Sequence, residues 1–272
     1  MDNYLFVLLQ YLVPKRLISE LIGFFAKSQN QYIKTFFIGN FHKTYKVNMK
    51  EAVHEDLAFY PSFNSFFTRP LKLESRPIDK NIQSIISPAD GVVSQIGDIK
   101  SGKIIQAKGV HFKLLSFLGN DKEYFEKFKE GVFCTIYLSP KDYHRVHMPI
   151  EGRLTSATYI PGKLFSVNPK TVAEIPGLYA KNERLVFNFE IDKGHMVIVM
   201  VGAAIVAGIK PFWRETAFEP RAYEREELDY HLNKGDEIGL FEMGSTVIML
   251  LSNRLNFRLQ KNERSLYGQS IS

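Results

Sequence analysis

The sequence predicts an α+β fold: a β-rich, sandwich- or barrel-like core preceded by N-terminal amphipathic helices. Three observations predict it. Between residues 85 and 201, short runs rich in Val, Ile and aromatic residues alternate with Gly and Pro turns. Before residue 45, apolar residues recur at helical spacings of three and four. The 272 residues are 45% hydrophobic and 24% charged, an ordinary globular composition with room for one large domain and an appendage. The division this predicts is a helical region over 1–60 and a β-rich domain over 61–272.

The elements follow in order. Tyr4–Val13 is apolar and closed by Pro14; it lacks the basic start and small-residue cleavage site of a signal peptide. Leu17, Ile18, Leu21, Ile22, Phe24 and Phe25 mark one helix, and Ile33, Phe36, Phe37 and Phe41, flanked by Lys34 and Lys43, mark a second. Asn48–Tyr60 reads as a further short helix ending before Pro61. The aromatic residues of Phe63–Leu71 read as core, with Arg69 available to pair with an anion. Strands are expected at Ile85–Ile86, Val92–Ile96, Ile104–Gln106, Val132–Leu138, Leu154–Ile160, Arg184–Glu190, Val197–Val201 and Thr246–Leu251. Residues 111–130 break the pattern and predict a helix or two. Residues 210–235 mix Trp213, Phe218, Tyr223 and Tyr230 with many charges and read as an exposed loop.

Charge and cysteine usage narrow the function classes. Of the net charge of +6, most sits in residues 1–50, where Lys15, Arg16, Lys27, Lys34, Lys43, Lys46 and Lys50 face only Asp2 and Glu20. A basic, aromatic helical segment suits the headgroup region of an anionic leaflet; it equally suits two helices packed on the domain with solvated lysines. The nearly neutral remainder argues against a nucleic-acid partner. The longest uncharged apolar stretch, Met196–Ile209, is shorter than the roughly 20 residues of a membrane span and reads as buried strand. The single cysteine, Cys134, excludes an internal disulfide, and no metal-ligand cluster appears.

Four segments could carry chemistry, and each alone is an ordinary turn or loop. Ser87–Gly91 holds Asp90 before a glycine, a hairpin signal, or an acid that orients a histidine. Tyr143–His147 holds His144 and His147, which are surface-turn residues or acid–base groups. Pro161–Pro169 brackets Ser166 between two turns. Met243–Thr246 holds Gly244 and Ser245 at the entry to an apolar strand. There a serine hydroxyl can attack the preceding carbonyl, and glycine leaves its approach uncrowded. The resulting ester then eliminates across the serine α and β carbons. Such a serine needs a base, and the base needs an orienting group.

Taken together, and in this order, the segments resemble the bacterial, membrane-associated phosphatidylserine decarboxylases. The resemblance rests on FNSFFTRPL (63–71), PADGVVS (88–94), LSPKDYHRVHMP (138–149), YIPGKLFSVN (159–168) and GSTVI (244–248), with NER (182–184) and the strand 198–205. It runs from about residue 45 to 251. Met243 stands where the family commonly has leucine, and residues 210–235 match poorly.

The resemblance implies a role for each matching residue. Asp90, His147 and Ser245 correspond to a self-cleavage triad that cuts between Gly244 and Ser245, leaving a β chain of residues 1–244 and an α chain of 245–272. Ser245 becomes a covalent pyruvoyl group, the pyruvate-type cofactor and Schiff-base centre. His144 and Ser166 correspond to substrate-binding residues that handle the carboxylate and the returning proton. The implied reaction turns phosphatidylserine into phosphatidylethanolamine, with neither metal nor nucleotide. The implied setting is the cytoplasmic side of an anionic cell membrane, with the protein peripheral and paired as a homodimer of processed protomers.

Overall fold

The computed structural model describes Tyr11 and residues 13–204, 208–218, 222–242 and 245–272, with Ser245 described by its backbone alone. Apart from Tyr11 and Val13, the run Tyr4–Val13 lies outside these residues, as do Met243 and Gly244.

Two helices open the described chain, α1 (Lys15–Lys27) and α2 (Gln31–Tyr45). The Asn30 side chain caps α2 by accepting the N–H groups of Tyr32 and Ile33. On α1 the small residues Ser19, Gly23 and Ala26 face inward, while Leu17, Leu21 and Phe24 face outward, Phe24 at 73% exposure. A helix packed only for stability would bury the large residues and expose the small ones. A short helix, α3 (Phe63–Phe67), starts at a capping box made by Ser62 and Ser65. Its Phe63, Phe66 and Phe67 join Ala26, Ile38, Val47, Met49, Ala52 and Tyr60 in a small core of their own.

Between α2 and α3 the single helix expected over Asn48–Tyr60 is not formed. The segment makes two separate 3-10 turns, Met49–Glu51 and Leu57–Phe59. Asn48 and Asp56 each cap the turn that follows, and Ala52 bridges to Leu71, so the backbone is drawn out of helix between them.

The β-rich part contains β1 (Gly91–Asp98), β2 (Lys103–Ala107), β3 (Val110–Lys113), β4 (Val132–Leu138), β5 (Arg145–His147), β6 (Gly152–Ile160), β7 (Arg184–Ile191), β8 (Gly194–Val201), β9 (Ile209–Pro211), β10 (Glu224–Leu232), β11 (Glu237–Phe241), β12 (Ser245–Leu251) and β13 (Arg264–Ser265). Short helices α4 (Leu114–Phe117), α5 (Lys122–Phe128), α6 (Pro169–Glu174) and α7 (Leu178–Lys181) interrupt them. Eight strands form one antiparallel sheet in the order β10-β6-β7-β8-β12-β4-β1-β13. The apolar strands β8, β12 and β4 are adjacent near its centre, as near-continuous Val, Ile and Met runs require.

Alternate side chains of these strands serve two cores. One face packs against the three-stranded sheet β5-β11-β9, through Val146, Ile209, Ile238 and Phe241. The other packs against the β2–β3 ribbon and α4 to α7, through Ile104, Phe112, Phe117, Phe128 and Tyr179. The α+β reading therefore holds, with one sheet laid on another.

Residues 210–235 are not the expected loop. They include part of β9 and the nine-residue strand β10. β10 is an edge strand paired only with β6, and its charges alternate with partly buried positions. Charge protects a sheet edge from further pairing, and it also hid the strand from a hydrophobicity reading. Ile85–Ile86 contributes a single bridge, Ile86 to Ser270, in place of a strand.

Candidate active site

The register explains why the motifs converge. Ser245 pairs with Leu138, Thr246 with both Tyr137 and Val201, Val92 with Tyr137, and Arg184 with Val201. The starts of β1, β7 and β12 therefore meet the ends of β4 and β8 at one end of the large sheet. The described residues just beyond those strand ends are Asp90, Glu183, Ser139 and Gly202. The loop after β6 brings Ser166 to the same end.

His144 lies beside the end of β4. Asp142 builds its turn by accepting the Ser139 N–H at 2.7 Å and the Ser139 hydroxyl at 2.6 Å. Burial alone would raise the Asp142 pKa, but the bonds from Ser139 and Arg264 bring it below the usual value. The His144 Nε2–H donates to the Ser139 carbonyl at 3.1 Å. Its ring stacks on Phe67 at 4.1 Å, so the N-terminal helical unit touches this histidine directly. His144 is fully buried, and burial pushes its pKa down to about 4, with Asp142 opposing and Arg69 reinforcing the shift.

Ser166 approaches from the other flank of β12. Its Oγ accepts the Asn168 Nδ2–H at 2.8 Å, and Asn168 also caps α6. Buried Asn182 ties this loop to the sheet end. It accepts the Phe165 N–H and donates to the carbonyls of Phe165 and Gly202, each at 2.8 Å. His144 thus stands on the β4 side of this sheet end, against the Ser139 carbonyl, and the Ser166 loop on its β8 side, where Asn182 holds the Gly202 carbonyl.

Asp90 and His147 are neighbours that do not hydrogen-bond to each other. Asp90 is buried and bidentate to Arg76, with Nη2 to Oδ2 at 2.6 Å and Nε to Oδ1 at 2.9 Å. It also accepts the Tyr267 N–H at 2.9 Å. The bonds from Asp90 and Glu51 hold the Arg76 pKa above its usual value even though burial opposes them.

The His147 backbone N–H donates to Pro88, next to the Asp90 turn. Its Nδ1 meets the Gly235 carbonyl at 2.9 Å and its Nε2 the Tyr143 hydroxyl at 3.0 Å. A carbonyl only accepts, so Nδ1 carries the proton and Nε2 is the basic nitrogen. The orienting bond expected from Asp90 comes here from the Gly235 carbonyl. Burial pushes the His147 pKa down to about 4. Both histidines are therefore neutral, base-competent imidazoles at pH 7.

Arg69 is buried: its Nη2 donates to the Lys141 carbonyl at 3.0 Å and its guanidinium lies over the Phe66 ring, while Nε and Nη1 have no hydrogen-bond partner among the described residues, so it keeps the capacity to pair with an anion. Sequence reading also missed Arg76, Asn182, Gly235 and Tyr267. Asn182 lies in a motif quoted for the resemblance, whereas Arg76, Gly235 and Tyr267 lie outside every motif. Among the described residues there is no group of three or more His, Cys, Asp and Glu side chains that could hold a metal ion. Residue 245 opens a central strand, β12, which is laddered to β4 and β8.

The family model described as phosphatidylserine decarboxylase matches residues 63–272, and a second model, described as PSD, matches residues 5–46. The chain belongs to the phosphatidylserine decarboxylase family. It is similar to the phosphatidylserine decarboxylase proenzyme of Shewanella amazonensis, with 48% identity over 254 residues, 90% of this chain and 88% of the relative. It is 48% identical over 257 residues to the proenzyme of that name from Alteromonas mediterranea, 92% of this chain and 79% of the relative. The Pseudomonas putida proenzyme is 47% identical over 257 residues, 92% of this chain and 90% of the relative. The decarboxylase match includes every strand end described above.

Proposed function

We propose that this chain is a proenzyme that cuts itself between Gly244 and Ser245 and then decarboxylates phosphatidylserine to phosphatidylethanolamine. The observation that carries this reading is the placement of residue 245. It opens a central strand at the sheet end that carries His144 on its β4 side and the Ser166 loop on its β8 side. Family membership supports the same conclusion.

In the first stage the Ser245 hydroxyl attacks the Gly244 carbonyl, and His147 is the base. Its Nδ1–H is committed to Gly235, which leaves Nε2 to take the proton. The Tyr143 hydroxyl on Nε2 either yields to the serine or relays its proton. Asp90 acts by fixing the neighbourhood of His147, through Arg76 and the backbone of Tyr267.

The ester formed by this N-to-O acyl shift eliminates across the Ser245 α and β carbons and releases residues 1–244 with a C-terminal carboxylate. Water hydrolyses the imine tautomer of the remaining dehydroalanine, and ammonia leaves. The resulting pyruvoyl group would supply an electron sink for the charge left when carbon dioxide departs. His144 and Ser166 bind the substrate carboxylate and return a proton to the α carbon. A carboxylate beside His144 raises its proton affinity above the value that burial imposes, which prepares it to donate.

The setting is the membrane surface. No helix among the described residues is long and apolar enough to cross a bilayer. The outward row Leu17, Leu21 and Phe24, with Tyr32 and Phe36 of α2 also exposed, instead suits a helix pair lying in the headgroup region on the cytoplasmic face. The direct test is release of carbon dioxide from carboxyl-labelled phosphatidylserine by the purified protein. The reading predicts release by the unaltered chain and none by Ser245→Ala; equal release by both contradicts it.

A further inference from the structure

Glu183 is a buried carboxyl that the roles above leave unused. It is 4% exposed, and its Oε2 accepts the Tyr159 hydroxyl at 3.1 Å. Burial raises its pKa, against the opposing pull of the Tyr159 bond and the Arg16 charge. Its side chain lies flat on Gly202: a Cβ built there would fall 2.8 Å from Cγ and 2.9 Å from Oε1. Gly202 follows Val201, the ladder partner of Thr246, so it stands level with residue 245 on the adjacent strand. Neighbouring strands are about 5 Å apart.

Glu183 also lines a cavity of about 250 Å³ beneath α1, with Arg16, Ser19, Gly23, Lys27 and Leu164 among its walls. Ser19 and Gly23 are small, and that leaves the space open. Leu164 is two residues from Ser166. Phe24, on the apolar outer face of α1, borders the same cavity. The space therefore runs from Phe24 on the outer side of α1 inward to Glu183, whose side chain covers Gly202. Its charges are the Glu183 carboxyl at the inner end and, on the helix, Arg16, Glu20 and Lys27, two cations against one acid. Lys27 pairs with Glu242, three residues before Ser245, at 2.8 Å.

We propose that this cavity receives the headgroup of an amine-bearing glycerophospholipid and that Glu183 pairs its primary ammonium. The proposal rests on the decarboxylase reading and deepens it. The amine of the headgroup has to be delivered next to residue 245, and a carboxylate against Gly202 delivers it there. One proton passes from the ammonium to the Glu183 carboxylate, which gives a neutral amine with a free electron pair and a neutral carboxylic acid. A carboxyl whose proton affinity burial has already raised is suited to that exchange. Arg16 and Lys27 lie where the phosphodiester, of opposite charge, follows toward the mouth.

The test uses binding, so that it does not depend on turnover. The uncleaved Ser245→Ala chain is titrated by calorimetry with dihexanoyl phosphatidylethanolamine and with dihexanoyl phosphatidylglycerol, both below their micelle concentrations. Glu183→Gln keeps the size and an acceptor for Tyr159 but removes the charge. It is expected to weaken the ethanolamine lipid about tenfold or more and to leave the glycerol lipid within about twofold. Gly202→Ala, which displaces the carboxyl by contact, is expected to show the same selectivity. Three results overturn the proposal: equal weakening of both lipids, no weakening of the ethanolamine lipid, or no binding of that lipid by the Ser245→Ala chain. Failure of the decarboxylase reading appears elsewhere, as absence of carbon dioxide release from the unaltered protein.

Discussion

Tyr267 lies flat on His147, with ring centroids 3.8 Å apart and planes 16° apart. The same residue gives its backbone N–H to Asp90 and its hydroxyl to the Gly235 carbonyl, which also receives the His147 Nδ1–H. One residue of the C-terminal segment thus touches both Asp90 and His147, which do not bond to each other. Tyr267→Ala should slow self-cleavage about 10- to 100-fold through misplacement of the base. Tyr267→Phe, which keeps the ring, should lie much closer to the unaltered chain. A gel time course of freshly made protein measures this; equal cleavage rates in all three contradict it.

The two buried histidines predict an acid-sensitive fold. Their folded pKa values lie near 4, below the ordinary value of 6.5. Above pH 6.5 neither the folded nor the unfolded chain protonates them, and stability is at its full value. Between pH 6.5 and 4 the unfolded chain takes up protons that the folded chain refuses. Stability should fall as pH falls through that window, by up to about 1.4 kcal/mol per pH unit for each histidine. Urea midpoints at pH 7.5, 6 and 5 check the sign. A midpoint that rises on acidification contradicts the burial of neutral imidazoles.

Arg76 neutralises Asp90 inside the protein. Arg76→Ala leaves a buried carboxylate without its bidentate partner and should destabilise the fold by roughly 3–5 kcal/mol. Arg76→Lys restores the charge without the fork and should recover only part of that loss. Thermal melts of the Ser245→Ala background separate this effect from processing. Melting temperatures within a degree of each other would show that Asp90 finds another partner.

How much of this was legible in the sequence depends on what kind of signal each residue gives. β4, β7, β8 and β12 were readable because strands buried on both faces are rich in Val, Ile, Leu, Met and aromatic residues. β10 was not, because an edge strand carries its charges in the positions a loop would. The two 3-10 turns within Asn48–Tyr60 turn on local capping by Asn48 and Asp56, which propensity over the whole segment averages away.

The candidate residues Asp90, His144, His147, Ser166 and Ser245 stand out in the sequence because each lies in a short Gly- or Pro-containing stretch beside strand-like runs. Their hydrogen-bond partners do not. Arg76 reaches Asp90 across 14 residues and Tyr267 across 177. Neither contact leaves a local pattern. The stacking of Phe67 on His144 is of the same kind: the aromatic run reads as core, and only the fold shows what it covers.

The outward face of α1 makes a separate prediction. Leu17, Leu21 and Phe24 each gain roughly 1.5–3 kcal/mol when fully buried. Changing all three to Gln should cut binding to vesicles of phosphatidylethanolamine and phosphatidylglycerol by more than about 100-fold. The fold should persist, because those side chains are exposed in the protein. Co-sedimentation gives the binding and a thermal melt gives the fold. Unchanged co-sedimentation would mean that another surface meets the bilayer.

The intact mass of the purified protein under denaturing conditions tests the central claim most directly. The account predicts two polypeptides, residues 1–244 and a short chain beginning at residue 245. The short chain should be lighter by one ammonia than the same chain with serine at its N-terminus, and should resist N-terminal sequencing. A single uncut chain of 31.3 kDa from a preparation active on phosphatidylserine would contradict it.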